Sequence, residues 1–200
     1  ATIAHKQYCS CATCHPDGRV DGLNHDLMDD GLGTFKDTSS LLLAHESEPN
    51  GWQGIRPTAE INVAAKVRHL LFAVRPEEDI QVIMAYIRSL EPAPSPHYRY
   101  DEDGRPLTSV AAGRALFESE EVGCATCHPA PIYTDNQSHD VGSRSQYDRV
   151  DEFYTPSLVE CWRTGPYLHD GRYLTIRELL IDGNHGNAAD VLSEEEFEQL

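Results

Sequence analysis

The pattern of apolar and polar positions predicts helices along the chain, and no segment alternates as a β-strand does. The clearest helix begins near Pro76, which suits a first helical turn and is followed by three acidic residues that complement the helix dipole. Apolar residues then recur with a 3.6-residue period: Ile80, Ile83, Met84, Ile87 and Leu90. This stripe predicts a helix packed on a core, with Met84 as a packing residue.

Three further helices are predicted from caps and shorter apolar stripes. They run from Thr58 to about Val74, from Ser109 to about Ser119, and from the capping box Thr175-Ile-Arg-Glu178 to Gly183. Another capping box, Ser193-Glu-Glu-Glu196, begins a helix that stops after about two turns. The chain is therefore expected to be mostly α-helical and to be a fragment of something longer.

A proline-rich segment divides the chain into two parts. Glu91-Pro-Ala-Pro-Ser-Pro-His97 carries three prolines and cannot be helical, and a polar, charged stretch follows it. We place a linker near residues 92–108. It separates a first domain of residues 1–95 from a second domain of residues 96–200.

The same six residues occur once in each domain. They are Cys11-Ala-Thr-Cys14-His15-Pro16 and Cys124-Ala-Thr-Cys127-His128-Pro129. Cys-x-x-Cys-His is the attachment motif of c-type haem, in which two thiols bind the porphyrin and the histidine is an axial iron ligand. A zinc knuckle would need a further Cys/His pair near each motif, and a redox cysteine pair does not need the histidine. We therefore predict two covalently attached c-type haems.

The two domains resemble each other beyond these motifs. Aligning Thr38 with Thr155 without gaps gives six identities in 21 positions, among them Thr58 with Thr175. The aligned segments lie at similar distances after the two motifs. The sequence thus predicts two cytochrome c-like helical domains in tandem, related by duplication, with long loops that pack on the haems.

The group opposite each proximal histidine decides whether an iron carries electrons or has an open site. The second domain has no methionine, so histidine is the main candidate there. We favour His185, in the loop Asp182-Gly-Asn-His185-Gly, over His139 and His169 as the distal ligand of the second haem.

For the first haem, the candidate distal ligand is His69. It lies within one position of His185 in the gap-free alignment and shares a predicted inward helix face with Ile61, Ala65 and Phe72. A core histidine without a ligand role is the alternative for His69. Two other histidines, His25 and His45, remain rivals at this haem, and a position in a surface loop without a ligand role is the alternative for both. Met28 and Met84 are the only methionines available in the sequence.

Composition narrows the classes of partner and the compartment. The chain has 33 acidic and 16 basic residues, a formal charge of −17, which disfavours nucleic acid and anionic membrane surfaces. No apolar run approaches the length of a membrane span, so we expect no membrane insertion. Because haem is attached to such motifs outside the cytoplasm, we expect a mature exported chain, periplasmic or extracellular.

Two of the six cysteines lie outside the haem motifs, Cys9 and Cys161. They form either one disulfide or two separate thiols.

Several motifs resemble those of the bacterial dihaem cytochrome c peroxidases and the methylamine-utilisation dihaem enzymes. They are Gly113-Arg-Ala-Leu-Phe117, His139-Asp-Val-Gly142, Thr155-Pro-Ser-Leu158 and Thr164-Gly-Pro-Tyr-Leu-His-Asp-Gly171. The sequence is most similar to dihaem modules appended to larger secreted bacterial proteins, so fusion to such a protein is expected. The resemblance implies two helical cytochrome c domains whose haems face a shared interface, with a calcium ion between them in many members. It also implies an axial ligand in the loop that holds His185, where the peroxidases have methionine.

These features predict a dihaem cytochrome that transfers electrons between its haems and a redox protein partner or neighbouring subunit. One alternative is a peroxidase-like enzyme that reduces hydrogen peroxide at an open first haem. A weaker alternative is a subunit of a multihaem electron-conducting assembly. The sequence shows no identifiable peroxidatic acid residue, so an electron carrier is favoured over an enzyme.

Overall fold

The computed structural model describes residues 4–26, 34–97, 100–104 and 107–200. Most of the regular structure in these ranges is helical, as the sequence predicts. The α-helices are α1 (Cys11–Cys14), α2 (Ala59–His69), α3 (Glu77–Arg88), α4 (Thr108–Phe117), α5 (Cys124–Cys127), α6 (Ile176–Ile181), α7 (Ala188–Val191) and α8 (Glu194–Phe197). Within the same ranges, no helix is both long enough and apolar enough to cross a membrane.

Two short antiparallel ladders were not predicted from the sequence. Strand β1 (Asn24–His25) pairs with β2 (Lys36–Asp37), and β3 (Ser138–His139) pairs with β4 (Phe153–Tyr154). Each strand has only two residues, which is too short to leave an alternating pattern in the sequence. Each ladder closes one of the long loops that follow the Cys-x-x-Cys-His motifs.

Helices α2 and α3 pack together and bury the apolar core of the first half of the chain. We use first half for residues 1–95 and second half for residues 96–200. Ile80, Met84 and Ile87 on α3 are at most 4% exposed, so the predicted stripe and the packing role of Met84 are confirmed. Helix α2 begins at its predicted cap, where the Thr58 hydroxyl accepts a hydrogen bond from the backbone of Ile61. It ends at His69, five residues before the predicted end.

The same series of local structures follows both motifs. Each motif forms a one-turn helix, followed by an aspartate–histidine pair, a two-stranded ladder and a helix with a threonine N-cap. The caps, Thr58 and Thr175, lie 117 positions apart, as in the gap-free alignment. The predicted capping box at Thr175 is present, since Glu178 also accepts from the Thr175 backbone.

Buried ion pairs join the two halves of the chain. Arg19 Nε donates to Glu160 Oε2 at 2.9 Å, and Glu160 also accepts from Arg163 and from the backbone of Ala93. Although burial opposes its ionisation, these donors lower the pKa of Glu160 to about 2. Glu160 thus connects the first half, the linker segment and the second half through one carboxylate.

A second buried carboxylate, Asp148, also connects the halves. It accepts from Lys36 Nζ at 2.7 Å and from His169 Nε2 at 2.9 Å. Burial raises its pKa, but the donors Lys36, Ser145 and His169 outweigh burial, and the pKa of Asp148 is lowered. His169 is itself fully buried and stacks on Phe153, with ring centroids 3.7 Å apart.

Candidate dihaem site

One large cavity is lined by residues from both Cys-x-x-Cys-His motifs. It has a volume of about 1570 Å³ and includes six motif residues in its walls: Cys11, Cys14, His15, Cys124, Cys127 and His128. A site for one small molecule commonly has roughly 300–1,000 Å³. The cavity therefore exceeds the usual size of a site for one ligand and brings both motifs to a shared space.

The two motif histidines are held in the same way. His15 Nδ1 is hydrogen-bonded to the carbonyl oxygen of Arg19 at 3.0 Å, and His128 Nδ1 to that of Tyr133 at 3.0 Å. Burial lowers the pKa of both imidazoles, which favours the neutral form that binds a metal. A bond at Nδ1 leaves Nε2 as the ligand atom and fixes the ring orientation.

His185 faces His128 across the second half of the cavity. The two ring centroids are 6.4 Å apart, and the rings are tilted by 56°. Two imidazoles that share one metal ion through bonds of about 2.0–2.1 Å have centroids roughly 6.3 Å apart. Burial and the nearby His128 lower the pKa of His185. The spacing and the neutral rings fit an iron between His128 and His185.

His69 does not face the cavity, and the prediction that it points inward is wrong. Its side chain is exposed at the end of α2, and two of its predicted neighbours, Ile61 and Phe72, are 48% and 67% exposed. The error comes from helix length, since α2 has 11 residues and α6 has only six. The gap-free alignment therefore pairs the N-caps Thr58 and Thr175 correctly. After α2 and α6, it pairs residues that are five positions away from their structural equivalents.

Backbone geometry identifies Ala73 as the counterpart of His185. The amide of His185 bonds to the carbonyl of Leu179, and the amide of Ala73 bonds to that of Val67 in the same way. The residues before them, Asn184 and Phe72, both have left-handed backbones, with φ of 46° and 47°. The first half thus has a methyl group where the second half has an imidazole.

The other histidines considered from the sequence have different partners. His25 Nε2 pairs with Asp21 at 2.9 Å and His139 Nε2 pairs with Asp135 at 2.6 Å, at equivalent places beside the two motifs. His45 lies near Glu46, at 3.4 Å, and is not among the cavity-lining residues. Met28, the available methionine other than Met84, lies outside the described residues.

The aspartate–histidine pairs each lie beside the second cysteine of a motif. Cys14, Asp21 and His25 have ligand atoms within 4.8 Å of one another, and Cys127, Asp135 and His139 repeat the arrangement. Attachment of haem would convert both thiols into thioethers.

Sequence reasoning considered histidine and methionine as ligands at the first haem site and did not consider two other polar residues that line the cavity. Asn62 and Lys66 lie one helical turn apart on α2, and both line the cavity with Leu70. The pKa of His15, lowered mainly by burial, is lowered further by the charge of Lys66. The 3.6-residue period of α2 was the signal that could have placed these residues on one face.

Trp52 lies in the cavity wall and contacts both halves. Its Nε1 donates to the carbonyl of Asp37 at 2.8 Å, and its own carbonyl accepts from the amide of Tyr154 at 2.8 Å. Its ring meets His169 edge-on, with centroids 6.5 Å apart. The other tryptophan, Trp162, packs instead against His97 of the linker segment.

Asp37 has a buried carboxyl group beside Trp52. The residue is 5% exposed, and its Oδ1 atom has no hydrogen-bond partner in the described part of the chain. Burial raises the pKa of Asp37 to about 7. Calcium prefers oxygen ligands such as carboxylates, so a buried carboxylate oxygen of this kind is a suitable ligand type for that ion.

The two remaining cysteines are free thiols in this structure. Cys9 and Cys161 both line the cavity, and no bond joins them. Burial raises the pKa of the Cys161 thiol, which disfavours its reactive thiolate form. The sequence allows either a disulfide between Cys9 and Cys161 or two separate thiols, and the structure has separate thiols.

No protein-family model matches the sequence. Among curated proteins, the gamma subunit of hydrazine synthase from Kuenenia stuttgartiensis is 27% identical over 86% of this chain and 63% of the relative. The methylamine utilization protein MauG of Methylophilus methylotrophus is 26% identical over 81% of this chain and 62% of its own length. MauG of Methylorubrum extorquens is 29% identical over 44% of this chain and 28% of its length. The chain thus spans less than two thirds of the curated relatives it matches.

Solved structures share the fold over the whole chain. Hydrazine synthase from Kuenenia stuttgartiensis, solved under xenon pressure, matches with a TM-score of 0.82 at 22% identity, covering 100% of this chain and 81% of that one. A MauG-like protein associated with microbial copper homeostasis matches with a TM-score of 0.73 at 17% identity, covering 99% and 81%. At these identities the likeness shows a shared architecture.

Proposed function

We propose that this chain is a member of the dihaem cytochrome c peroxidase-like superfamily and that it transfers electrons between two haems and a redox partner. Its similarity to MauG and to hydrazine synthase gamma supports the proposal. The observation that carries the proposal is the pair of facing imidazoles, His128 and His185, 6.4 Å apart. A second strong axial ligand makes an iron an electron carrier.

The residues that would hold the two haems come from both halves of the chain. Cys11 and Cys14 would attach the first haem and Cys124 and Cys127 the second. His15 and His128 would be the proximal ligands, with His185 as the distal ligand of the second haem. Haem supplies one-electron redox chemistry when bound. His69 has no part in the proposal, because its exposed side chain faces away from the cavity.

The repeated series of local structures supports an origin by duplication of one cytochrome c-like domain. On this proposal, the domains are residues 1–95 and 96–200, joined by the linker near residues 92–108. The buried carboxylates Glu160 and Asp148 then serve as fixed connections between the domains. They hold the two motifs at a constant separation, which an electron-transfer protein requires.

Trp52 is proposed as the aromatic bridge between the two haem sites. It lies in the wall of the shared cavity, and its hydrogen bond to Asp37 and its contact with His169 hold the ring in place. The substitution Trp52→Phe should slow the internal redistribution of electrons, because it removes the indole and its hydrogen bond. The measurement is rapid mixing with less than one reducing equivalent, followed by the absorbance of each haem.

The matched control for this experiment is Trp162→Phe, at the linker segment. Its ring packs on His97 and is not among the cavity-lining residues. We expect this variant to redistribute electrons at the rate of the unaltered protein. Equal rates of electron redistribution in all three proteins would show that Trp52 is not part of the electron-transfer path. A failure of the two haems to exchange electrons at all would contradict the proposed function.

A second candidate function is favoured by Ala73. Its methyl group stands where the second half has His185, so the described residues place no equivalent ligand there. A first haem with an open site would reduce a small molecule such as hydrogen peroxide. Peroxide turnover with a reduced cytochrome as donor would test this function. An electron carrier without that activity should show no turnover above free haem.

We propose that the protein acts in the periplasm or outside the cell, with a redox protein or a neighbouring subunit as partner. The name of hydrazine synthase gamma describes a subunit, which supports the weaker possibility of a multihaem assembly. The net charge of −17 favours a partner with a basic surface. Asp37 is proposed as a carboxylate ligand for calcium between the domains.

A further inference from the structure

In the first half, three side chains with metal-binding atoms converge beside the haem motif. The ligand atoms of Cys14, Asp21 and His25 lie within 4.8 Å of one another. Zinc bonds to sulfur, nitrogen and oxygen place neighbouring ligand atoms roughly 3.3–3.8 Å apart in a tetrahedron. Small rotations of these side chains would therefore close the group around one zinc ion.

The second half repeats the group at the equivalent place in its own loop. The ligand atoms of Cys127, Asp135 and His139 also lie within 4.8 Å of one another. In both halves the aspartate precedes the histidine by four residues, and the histidine lies on the first strand of a two-stranded ladder. The second ligand pair that a zinc site needs beside each motif is thus present as an aspartate and a histidine.

A backbone amide orients each aspartate. Asp21 Oδ1 accepts from the amide of Leu23 at 3.1 Å, and its Oδ2 lies 2.9 Å from His25 Nε2. The second half has the same two bonds, with the amide of Gln137 as the donor. Metal ligands are commonly held in place by outer hydrogen bonds of this kind. A zinc ion would replace the bond between the aspartate and the histidine, and the amide bond would remain.

The charges of each group suit a divalent cation that also binds sulfur. One thiolate and one carboxylate carry two negative charges, which a zinc ion neutralises, and the imidazole adds a neutral nitrogen. Burial and the nearby Asp21 carboxylate raise the pKa of the Cys14 thiol, and burial and Asp135 do the same for Cys127. The thiolate is the form that binds metals, so zinc binding releases the thiol proton to solvent.

We propose that, before haem is attached, the chain binds one zinc ion at each of these two groups, with a water molecule as the fourth ligand. Haem attachment then forms a bond between the cysteine Sγ and one vinyl carbon, and the thiol hydrogen adds to the other carbon of that vinyl group. The thioether that results is uncharged and cannot supply a thiolate. Zinc and covalent haem therefore exclude each other at Cys14 and Cys127. This inference rests on the proposed haem attachment and is independent of the proposed electron transfer.

The test is a zinc titration of the full chain prepared without haem and kept reduced, in competition with a chromophoric chelator. We expect two tightly bound zinc ions per chain. Cobalt(II) in place of zinc should produce a thiolate-to-cobalt charge-transfer band, which reports a bound cysteine sulfur. The dihaem protein should bind neither ion at these groups and should show no such band.

A pair of histidine variants tests the assignment of the ligands. His25→Ala should reduce the tightly bound zinc ions from two to one per chain, because losing one of three protein ligands weakens zinc binding by about 100-fold. The matched control is His45→Ala, since His45 lies near Glu46 and belongs to neither group. This variant should keep both zinc ions.

A pair of cysteine variants separates the proposed site from zinc binding by the motif alone. Cys11 and Cys14 lie on the same one-turn helix, but Cys11 is not part of the group. Cys14→Ser should therefore lose one zinc ion, and Cys11→Ser should keep both. An unfolded chain that held zinc through both motif cysteines would lose an ion in either variant.

Three results would overturn the inference. The first is a haem-free chain without tightly bound zinc, and the second is an equal loss of zinc in Cys11→Ser and Cys14→Ser or no loss in His25→Ala. The third is a dihaem protein that binds zinc at the same two groups. If the haem-free chain binds zinc as expected but the dihaem protein exchanges no electrons between its haems, only the proposed function is contradicted.

Discussion

Replacing His185 with alanine should convert the oxidised second haem from a low-spin to a high-spin iron. The imidazole of His185 lies 6.4 Å from that of His128, measured between ring centroids, with space for one metal ion between them. On the proposed assignment, removing it would delete a strong axial ligand and would leave the iron with an open coordination position. Electron paramagnetic resonance of the oxidised protein should show the loss of one low-spin signal and a new high-spin signal.

The same variant should also raise the reduction potential of the second haem, because a strong nitrogen ligand is lost. The matched control is His69→Ala, which makes the same change at an exposed histidine on α2. That variant should leave both the spectrum and the potential unchanged. If His185→Ala keeps the low-spin signals and His69→Ala loses one, the assignment of the distal ligands is wrong.

Replacing Glu160 with alanine should lower the free energy of unfolding by about 3–5 kcal/mol, the cost of removing one partner from a buried ion pair. The Glu160 side chain is 2% exposed and accepts from Arg19, Arg163 and the Ala93 backbone. Its loss leaves the guanidinium of Arg19 without a buried counter-charge and disconnects the linker segment. Urea unfolding of the dihaem protein at neutral pH is the measurement.

The effect should depend on pH with a definite sign. The pKa of Glu160 is lowered in the folded protein from an ordinary value of 4.5 to about 2. Its contribution to stability is therefore present above pH 4.5 and is lost as the pH falls towards 2. The difference in unfolding free energy between the unaltered protein and the variant should shrink over that interval. A difference that grew in acid would contradict the assignment of Glu160 as the ionised partner.

The matched control for this variant is Glu194→Ala. Glu194 forms an ion pair with Arg177 on the surface, where its side chain is 74% exposed. Exposed pairs of this kind contribute about 0–1 kcal/mol, since solvent screens the charges. If the two alanine variants were equally stable, the connection between the halves through Glu160 would have no energetic importance.

Much of the fold was predictable because it depends on short-range patterns. The stripe on α3 and the capping boxes at Thr175 and Ser193 are local features, and all appear in the structure where the sequence places them. The strands of the two ladders were missed, because two-residue strands leave no period to detect. Their pairing depends on closure of the loops between the strands, residues 26–35 and 140–152, which no local pattern records.

The sequence by itself determined the two Cys-x-x-Cys-His motifs, because haem attachment needs only neighbouring residues in the right order. It also indicated His185, since the loop after α6 is short and contains one histidine. The tertiary structure decided where the first half departs from the second. Helix α2 is five residues longer than α6, so the chain after it is rotated and shifted relative to the second half. That difference puts Ala73 at the place of His185 and leaves His69 exposed at the end of α2.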